Sequence, residues 1–154
     1  AIVWQQQEGS FAVLDQTAVS TDEMDSTMTV RSEPAADVTL RSFVDLRSGG
    51  KRARLIARQI APDTYYSAEL VVTRKGQMVV IYRYENGQRI QLGARKAPKR
   101  IGRLEFHLRG SQLSLYFRRE LLVQVNDSVI AAAGSVGISA KGAGVKFANF
   151  FADV

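Results

Sequence analysis

Over residues 104–117 the chain alternates apolar and polar side chains almost without a break, and that rhythm commits it to β structure. Leu104, Phe106 and Leu108 point one way, while Glu105, His107 and Arg109 point the other. After Gly110-Ser111 the alternation resumes in Leu113-Ser114-Leu115-Tyr116-Phe117. A period of two lays one set of side chains on a buried sheet face and the other toward water, a separation that a helix cannot make with the same order of residues. Segments 38–46, 54–60, 66–72 and 78–84 read in the same style. Asn86-Gly87 supplies the positive φ angles of a tight hairpin turn, and Arg118-Arg119-Glu120 links the next pair of strands. Short strands separated by such turns predict an all-β fold, a two-sheet antiparallel β-sandwich, with no βαβ rhythm. Residues 129–133 offer at most one helical turn before Gly134. The stretches 20–27, 48–52 and 93–103 are expected to be the least ordered, the last as a mobile basic loop around Pro98.

A length of 154 residues suits one domain spanning 1–154, and hydrophobic residues at 45% with charged residues at 23% exclude wholesale disorder. No apolar run approaches the roughly 20 residues of a membrane-spanning helix. Cysteine is absent, so disulfides and thiolate metal sites are excluded. With no initiator Met and no signal-like segment, the chain is expected to be a domain excised from a larger protein. Residues 1–50 carry eight Asp or Glu against three Lys or Arg, whereas the remainder carries seven against eighteen. Such asymmetry is expected to be solvated surface that pairs off across the fold, with an anionic partner as the alternative.

The C-terminal stretch Gly134-Ser135-Val136-Gly137-Ile138 … Val145-Lys146-Phe147-Ala148-Asn149-Phe150 reads as two short strands around the glycine turn Gly142-Ala143-Gly144. Upstream lie Leu55-Ile56-Ala57-Arg58, then Asp63-Thr64-Tyr65-Tyr66, and an Arg103-x-Glu105 … Gly110 … Tyr116 … Leu121-Leu122 series. In order and spacing these pieces resemble the concanavalin A-like lectin and glucanase superfamily, including its laminin-G-like branch. The resemblance runs from about Asp37 to the C-terminus, with a weaker opening at Trp4, Gly9-Ser10-Phe11 and Val13. It implies a jelly-roll sandwich. Relatives often keep an acid before the terminal Asn-Phe that helps to hold a structural calcium. Ala148 stands there, so no cofactor is expected, and a calcium would have to use Asp153, Asp37 or backbone oxygens.

Glucanases of that superfamily carry Glu-x-Asp-x-x-Glu, because retaining hydrolysis needs two carboxylates about 5 Å apart. The nearest match, Glu23-Met24-Asp25-Ser26-Thr27-Met28, lacks the second Glu, and the chain is read as not an enzyme. With a single histidine, His107, a histidine metal cluster is excluded, and no nucleophile elbow accompanies any serine. Sugar recognition needs an aromatic platform and planar polar groups. The ligand-binding candidates are therefore Arg58, Tyr65, Tyr66, Tyr82, Arg83, Tyr84, His107 and Tyr116, with Tyr82 and Tyr84 on one strand face and Arg83 on the other. The basic groups Lys51-Arg52-Arg54, Arg95-Lys96-Lys99-Arg100 and Arg118-Arg119 would suit an anionic polysaccharide if they converge, while no nucleic-acid motif accompanies them. Gly49-Gly50-Lys51 and Gly142-Ala143-Gly144 open onto no helix and read as turns, not phosphate loops. The functional expectation is a non-catalytic carbohydrate-binding or adhesion module of a larger extracellular or cell-envelope protein, with a glycan and neighbouring domains as partners. A structural or protein-interaction spacer is the alternative, and a glycosidase-like enzyme is the third reading.

Overall fold

The computed structural model describes the backbone of residues 4–8, 11–14, 17–21, 25–30 and 33–153. Among the described residues fourteen strands are formed: β1 (Trp4–Glu8), β2 (Phe11–Leu14), β3 (Thr17–Ser20), β4 (Asp25–Val30), β5 (Val38–Asp45), β6 (Arg52–Ala61), β7 (Thr64–Thr73), β8 (Gly76–Glu85), β9 (Gln88–Ala97), β10 (Ile101–Arg109), β11 (Gln112–Phe117), β12 (Glu120–Asn126), β13 (Ser135–Lys141) and β14 (Lys146–Asp153). One sheet runs β1-β4-β13-β6-β7-β8-β9, and the other β12-β11-β10-β5-β14-β3-β2. All pairings between strands are antiparallel. Below, the first is sheet I and the second sheet II.

The inner faces follow the alternation that the sequence displays. Sheet I contributes Leu55, Tyr66, Leu70, Ile81 and Ile138; sheet II contributes Leu40, Leu104, Phe106, Leu115, Phe117 and Phe147, all buried in one cluster. Each such side chain stabilises the fold by ~1.5–3 kcal/mol through its removal from water. Leu104, Phe106 and Leu108 are fully buried, and Glu105, His107 and Arg109 lie on the outer side of the same strand, as their order predicts.

Several local expectations are met at the turns. Asn86 and Gly87 take φ of 50° and 81°, and Arg118 and Arg119 take 52° and 70°, so two consecutive left-handed residues join each hairpin. Other expectations are corrected. Residues 93–103 do not form a mobile loop, because β9 runs to Ala97 and β10 begins at Ile101. Pairing with β8 on one side and with β5 on the other overrides the local excess of charge. Within 20–27, Ser20 closes β3 and Asp25–Thr27 belong to β4. Residues 129–133 form no helix, and are extended or bent between β12 and β13.

The two C-terminal strands do not pair with each other. β13 lies in sheet I between β4 and β6, and β14 in sheet II between β5 and β3. The glycine turn therefore carries the chain from one sheet to the other. Gly142 and Gly144 take φ of 88° and 84°, a region that a side chain disfavours. The Ser20 hydroxyl donates to the Gly142 carbonyl at 2.7 Å and accepts from the Val145 amide at 2.9 Å, which fixes the crossing.

At the opposite end the sheets are joined by one buried guanidinium. Arg58 is 1% exposed, with φ of 49°, at the bulge that shifts the β6/β7 register between Ala57 and Ala61. It donates to the carbonyls of Ala36 (2.7 Å), Ile130 (3.0 Å) and Gly110 (2.6 Å), and lies 3.6 Å from the Asp37 carboxylate. Beside it, the Tyr66 hydroxyl bonds to Asp127 and accepts from the Ile130 amide at 3.1 Å, and Arg83 pairs with the same Asp127.

Two outcomes follow. Arg58→Lys replaces a planar fork by a point donor and leaves buried carbonyls without partners, so the urea midpoint should fall by the equivalent of roughly 3 kcal/mol. Burial, reinforced by Asp127, pushes the Tyr66 phenol up to about 12. The unfolded chain loses this proton near pH ~10 and the folded chain does not, so unfolding free energy should fall as pH rises from ~10 toward 12. Urea unfolding across that range should show the slope, and Tyr66→Phe should reduce it.

Candidate functional site on the outer face of sheet I

The strand registers of sheet I set its outward side chains in rows. One row runs Thr27, Ser139, Arg54, Glu69 and Val80 across β4, β13, β6, β7 and β8. The next runs Gly137, Ile56, Ser67, Tyr82 and Gln91, and a third holds Tyr65, Tyr84 and Arg89. A flanking row places Lys141, Arg52, Val71, Met78 and Lys96 together. Because residues two apart on a strand share a face, the Arg52-x-Arg54 and Ser67-x-Glu69 spacings put four polar groups side by side.

At the centre is Glu69, fully buried although it lies on the outer side of the sheet. Its carboxylate accepts from Arg52 at 2.8 Å, from Ser67 at 2.6 Å and from the Tyr84 hydroxyl at 2.8 Å, and stands 3.3 Å from Arg54 Nε. Arg54 in turn donates to the Ser139 hydroxyl at 2.9 Å. A carboxylate without water is costly unless several donors hold it, and here one guanidinium and two hydroxyls donate to it while a second guanidinium stands beside it. Burial, followed by the Glu69 charge, pushes the Tyr84 phenol well above its ordinary range, so it stays a donor at neutral pH.

Next to this network lies an apolar strip. Val71, Val80 and Tyr82 are buried together on the outer side, with Met78, Tyr84 and Ala94 packed against them. Tyr65 stacks on Tyr84 at 4.6 Å with 24° between the rings, and Tyr82 tilts against Tyr84 at 5.9 Å. Arg89 lies 5.0 Å over the Tyr82 ring, and Arg52 lies 5.7 Å over it. The face thus joins aromatic surface to planar guanidinium donors whose orientation is already fixed by Glu69.

The eight side chains expected from sequence to bind ligand fall into three places. Tyr65, Tyr82 and Tyr84 come together on this face. Arg58, Tyr66 and Arg83 lie in the interior network around Asp127, where their polar atoms hold the fold together. His107 and Tyr116 lie on the outer side of sheet II, their rings 4.6 Å apart, with His107 Nε2 at 3.3 Å from Glu105. Glu69, Arg52 and Arg54 form the centre of the site without having been chosen as its core. The signal was present in the two x-spaced pairs, whose significance depends on β6 and β7 being neighbours in this register. The three basic groups do not all merge: Arg52, Arg54 and Lys96 belong to sheet I, whereas the Arg118-Arg119 turn belongs to sheet II.

Among the described residues, no group of three or more His, Asp or Glu side chains could hold a metal ion. Asp37 accepts from the Gly110 amide, and Asp153 sits opposite Thr39 at the far end of β14. The Glu23-Met24-Asp25 segment falls at the margin of the described structure: residues 22–24 lie outside it, and for Asp25 only the backbone is described. The side chains of the weaker N-terminal signature, Trp4 to Val13, also lie outside it. No described helix is long and apolar enough to cross a membrane.

No family model matches the sequence, and no curated protein matches it. Solved structures do resemble it. The carbohydrate binding module CBM66 from Bacillus subtilis superposes with a TM-score of 0.87 at 20% identity, over 98% of this chain and 95% of that one. A galectin, LEC-6 of Caenorhabditis elegans, gives 0.60 at 16% identity over 83% of this chain and 96% of that one. The GH43 protein BlXynB from Bacillus licheniformis gives 0.72 at 14% identity; it matches 97% of this chain but only 36% of its own. At such identities the likeness concerns the scaffold, and the scaffold is a two-sheet, antiparallel jelly-roll sandwich of the lectin-like kind.

Proposed function

We propose that this chain is a non-catalytic carbohydrate-binding module and that the outer face of sheet I is its binding surface. The observation that carries this reading is the Glu69 network beside the tyrosine strip: Arg52 and Arg54 held by one buried carboxylate, next to Tyr82 and Tyr84. A sugar ring laid on a tyrosine buries its apolar face, while the guanidinium edges donate to its hydroxyls. Preorganisation matters because the arginines give up little further freedom when ligand arrives. The scaffold likeness to a carbohydrate binding module and to a galectin supports the reading.

Binding rather than hydrolysis is favoured by the chemistry of the one carboxylate at the centre of the face. Glu69 accepts hydrogen bonds from Arg52, Ser67 and Tyr84 and faces Arg54, whereas a retaining glycosidase needs two carboxylates about 5 Å apart, one as nucleophile and one as acid. The partial match to a GH43 chain fits a module that forms one part of a larger protein, acting outside the cell or in the envelope where polysaccharide is met.

Isothermal titration against a panel of neutral and acidic oligosaccharides, chosen from a glycan array, is the direct test. Arg54→Ala and Tyr84→Ala should each weaken binding of the selected sugar by about tenfold or more, equal to ~1.4 kcal/mol. His107→Ala, on the other sheet, should leave it unchanged. Absence of binding to every array sugar at millimolar concentration would reject the proposal and favour a spacer role.

A further inference from the structure

We propose a second binding site, on the outer face of sheet II, that takes an anionic sugar unit, either a uronate or a sulfate ester. It is built where the β5/β14 ladder breaks. The register is regular from Lys146 to Ala148, shifts, and resumes at Phe151 opposite Arg41. Asn149 takes a φ of 54° in that bulge. The Ser42 hydroxyl donates to the Ala148 carbonyl at 3.0 Å and bridges the opening. A pit of about 420 Å³ results, lined by Arg41, Phe43, Arg103, Asn149, Phe150 and Phe151 among others. That volume lies within the ~300–1,000 Å³ of ordinary small-ligand sites.

Its chemistry is that of an anion site with aromatic walls. Register places Arg103 beside Phe43 on one row and Arg41 beside Phe151 on the next. Phe43 and Phe151 are 41% and 38% exposed, an unusual placement for two neighbouring phenylalanines. The Arg41 guanidinium lies 4.0 Å over the Phe151 ring and makes no hydrogen bond or ion pair with any described residue. Arg103 shares Glu105 at 3.1 Å, and Glu105 also faces His107. Two guanidiniums therefore flank the pit with one carboxylate, itself already engaged, and a planar carboxylate or sulfate meets a guanidinium in paired hydrogen bonds. An extended acidic peptide fits less well. β5 is an interior strand, paired with β10 on one side and β14 on the other beside the pit, so it offers no free edge for an added strand. The Asn149-Phe150-Phe151 run near the end of the chain lines one side of this pit.

The test is backbone amide NMR of the whole chain titrated with trigalacturonate, a sulfated chondroitin tetrasaccharide, a neutral galactotriose and polyglutamate. At least one of the two anionic sugars should shift the amides of residues 41–43 and 149–151, and which one does so distinguishes uronate from sulfate. Arg41→Gln should weaken that binding by about tenfold, the scale of one charge-assisted hydrogen-bonded pair. Tyr84→Ala should leave it unaltered, which separates this site from the one on sheet I. Because Arg41 is a partly exposed outer-face residue, Arg41→Gln should keep the wild-type melting temperature. Shifts confined to sheet I, equal response to polyglutamate, equal response to the neutral trisaccharide, or indifference to Arg41→Gln would each overturn the proposal.

Discussion

Arg58 holds together three stretches of chain that lie far apart in the sequence. Its guanidinium reaches the carbonyl of Ala36 just before β5, that of Gly110 in the β10/β11 turn, and that of Ile130 in the segment leading to β13. Two of these belong to sheet II while Arg58 itself belongs to sheet I, so one buried side chain ties the sandwich shut at that end. A buried cation is tolerated only because each direction of its planar fork finds an oxygen, with Asp37 close by for charge. Tyr66, Asp127 and Arg83 extend the arrangement, and together they fix the loop between β12 and β13. With that end closed and the Ser20 hydroxyl holding the Gly142 to Val145 crossing at the other, both outer faces rest on a rigid support.

The two outer faces then differ in kind. On sheet I, Glu69 is buried beneath its own donors, and arginines, hydroxyls and tyrosines lock one another in place. On sheet II, the groups around the β5/β14 bulge are less committed: among the described residues Arg41 meets the Phe151 ring without a hydrogen bond or ion pair, and two phenylalanines meet solvent. On the first face the polar groups are held by one another, whereas among the described residues Arg41 on the second makes no hydrogen bond or ion pair.

Much of the fold was legible in the sequence. The alternation of Leu104, Phe106 and Leu108 with Glu105, His107 and Arg109 predicts which side chains are buried, and Asn86-Gly87 predicts its turn. The basic stretch around Pro98 was not legible as strand, because its charges face water on β9, an edge strand of sheet I where local polarity costs little. The site was legible only in part. Tyr82 and Tyr84 share a face by simple parity, but Arg58 and Tyr66 look as suitable for ligand as they do, and nothing local says that one bulge turns Arg58 inward. Glu69 was the reverse case: an acid in an apolar strand, unremarkable until Arg52 and Arg54 lie beside it.

The sequence alone therefore determined the period of the strands, the composition of the inner faces and the places where the chain turns, since these depend on neighbours one to four residues away. Tertiary structure decided what depends on register between distant segments. It placed β13 and β14 in opposite sheets although one short turn joins them. It set the arginines of β6 against the glutamate of β7, and it opened the pit between β5 and β14. Residues more than a hundred positions apart, such as Ser42 and Ala148, are brought together by the pairing of β5 with β14, and the physical reason is that cross-strand chemistry is fixed by pairing, which no local pattern encodes.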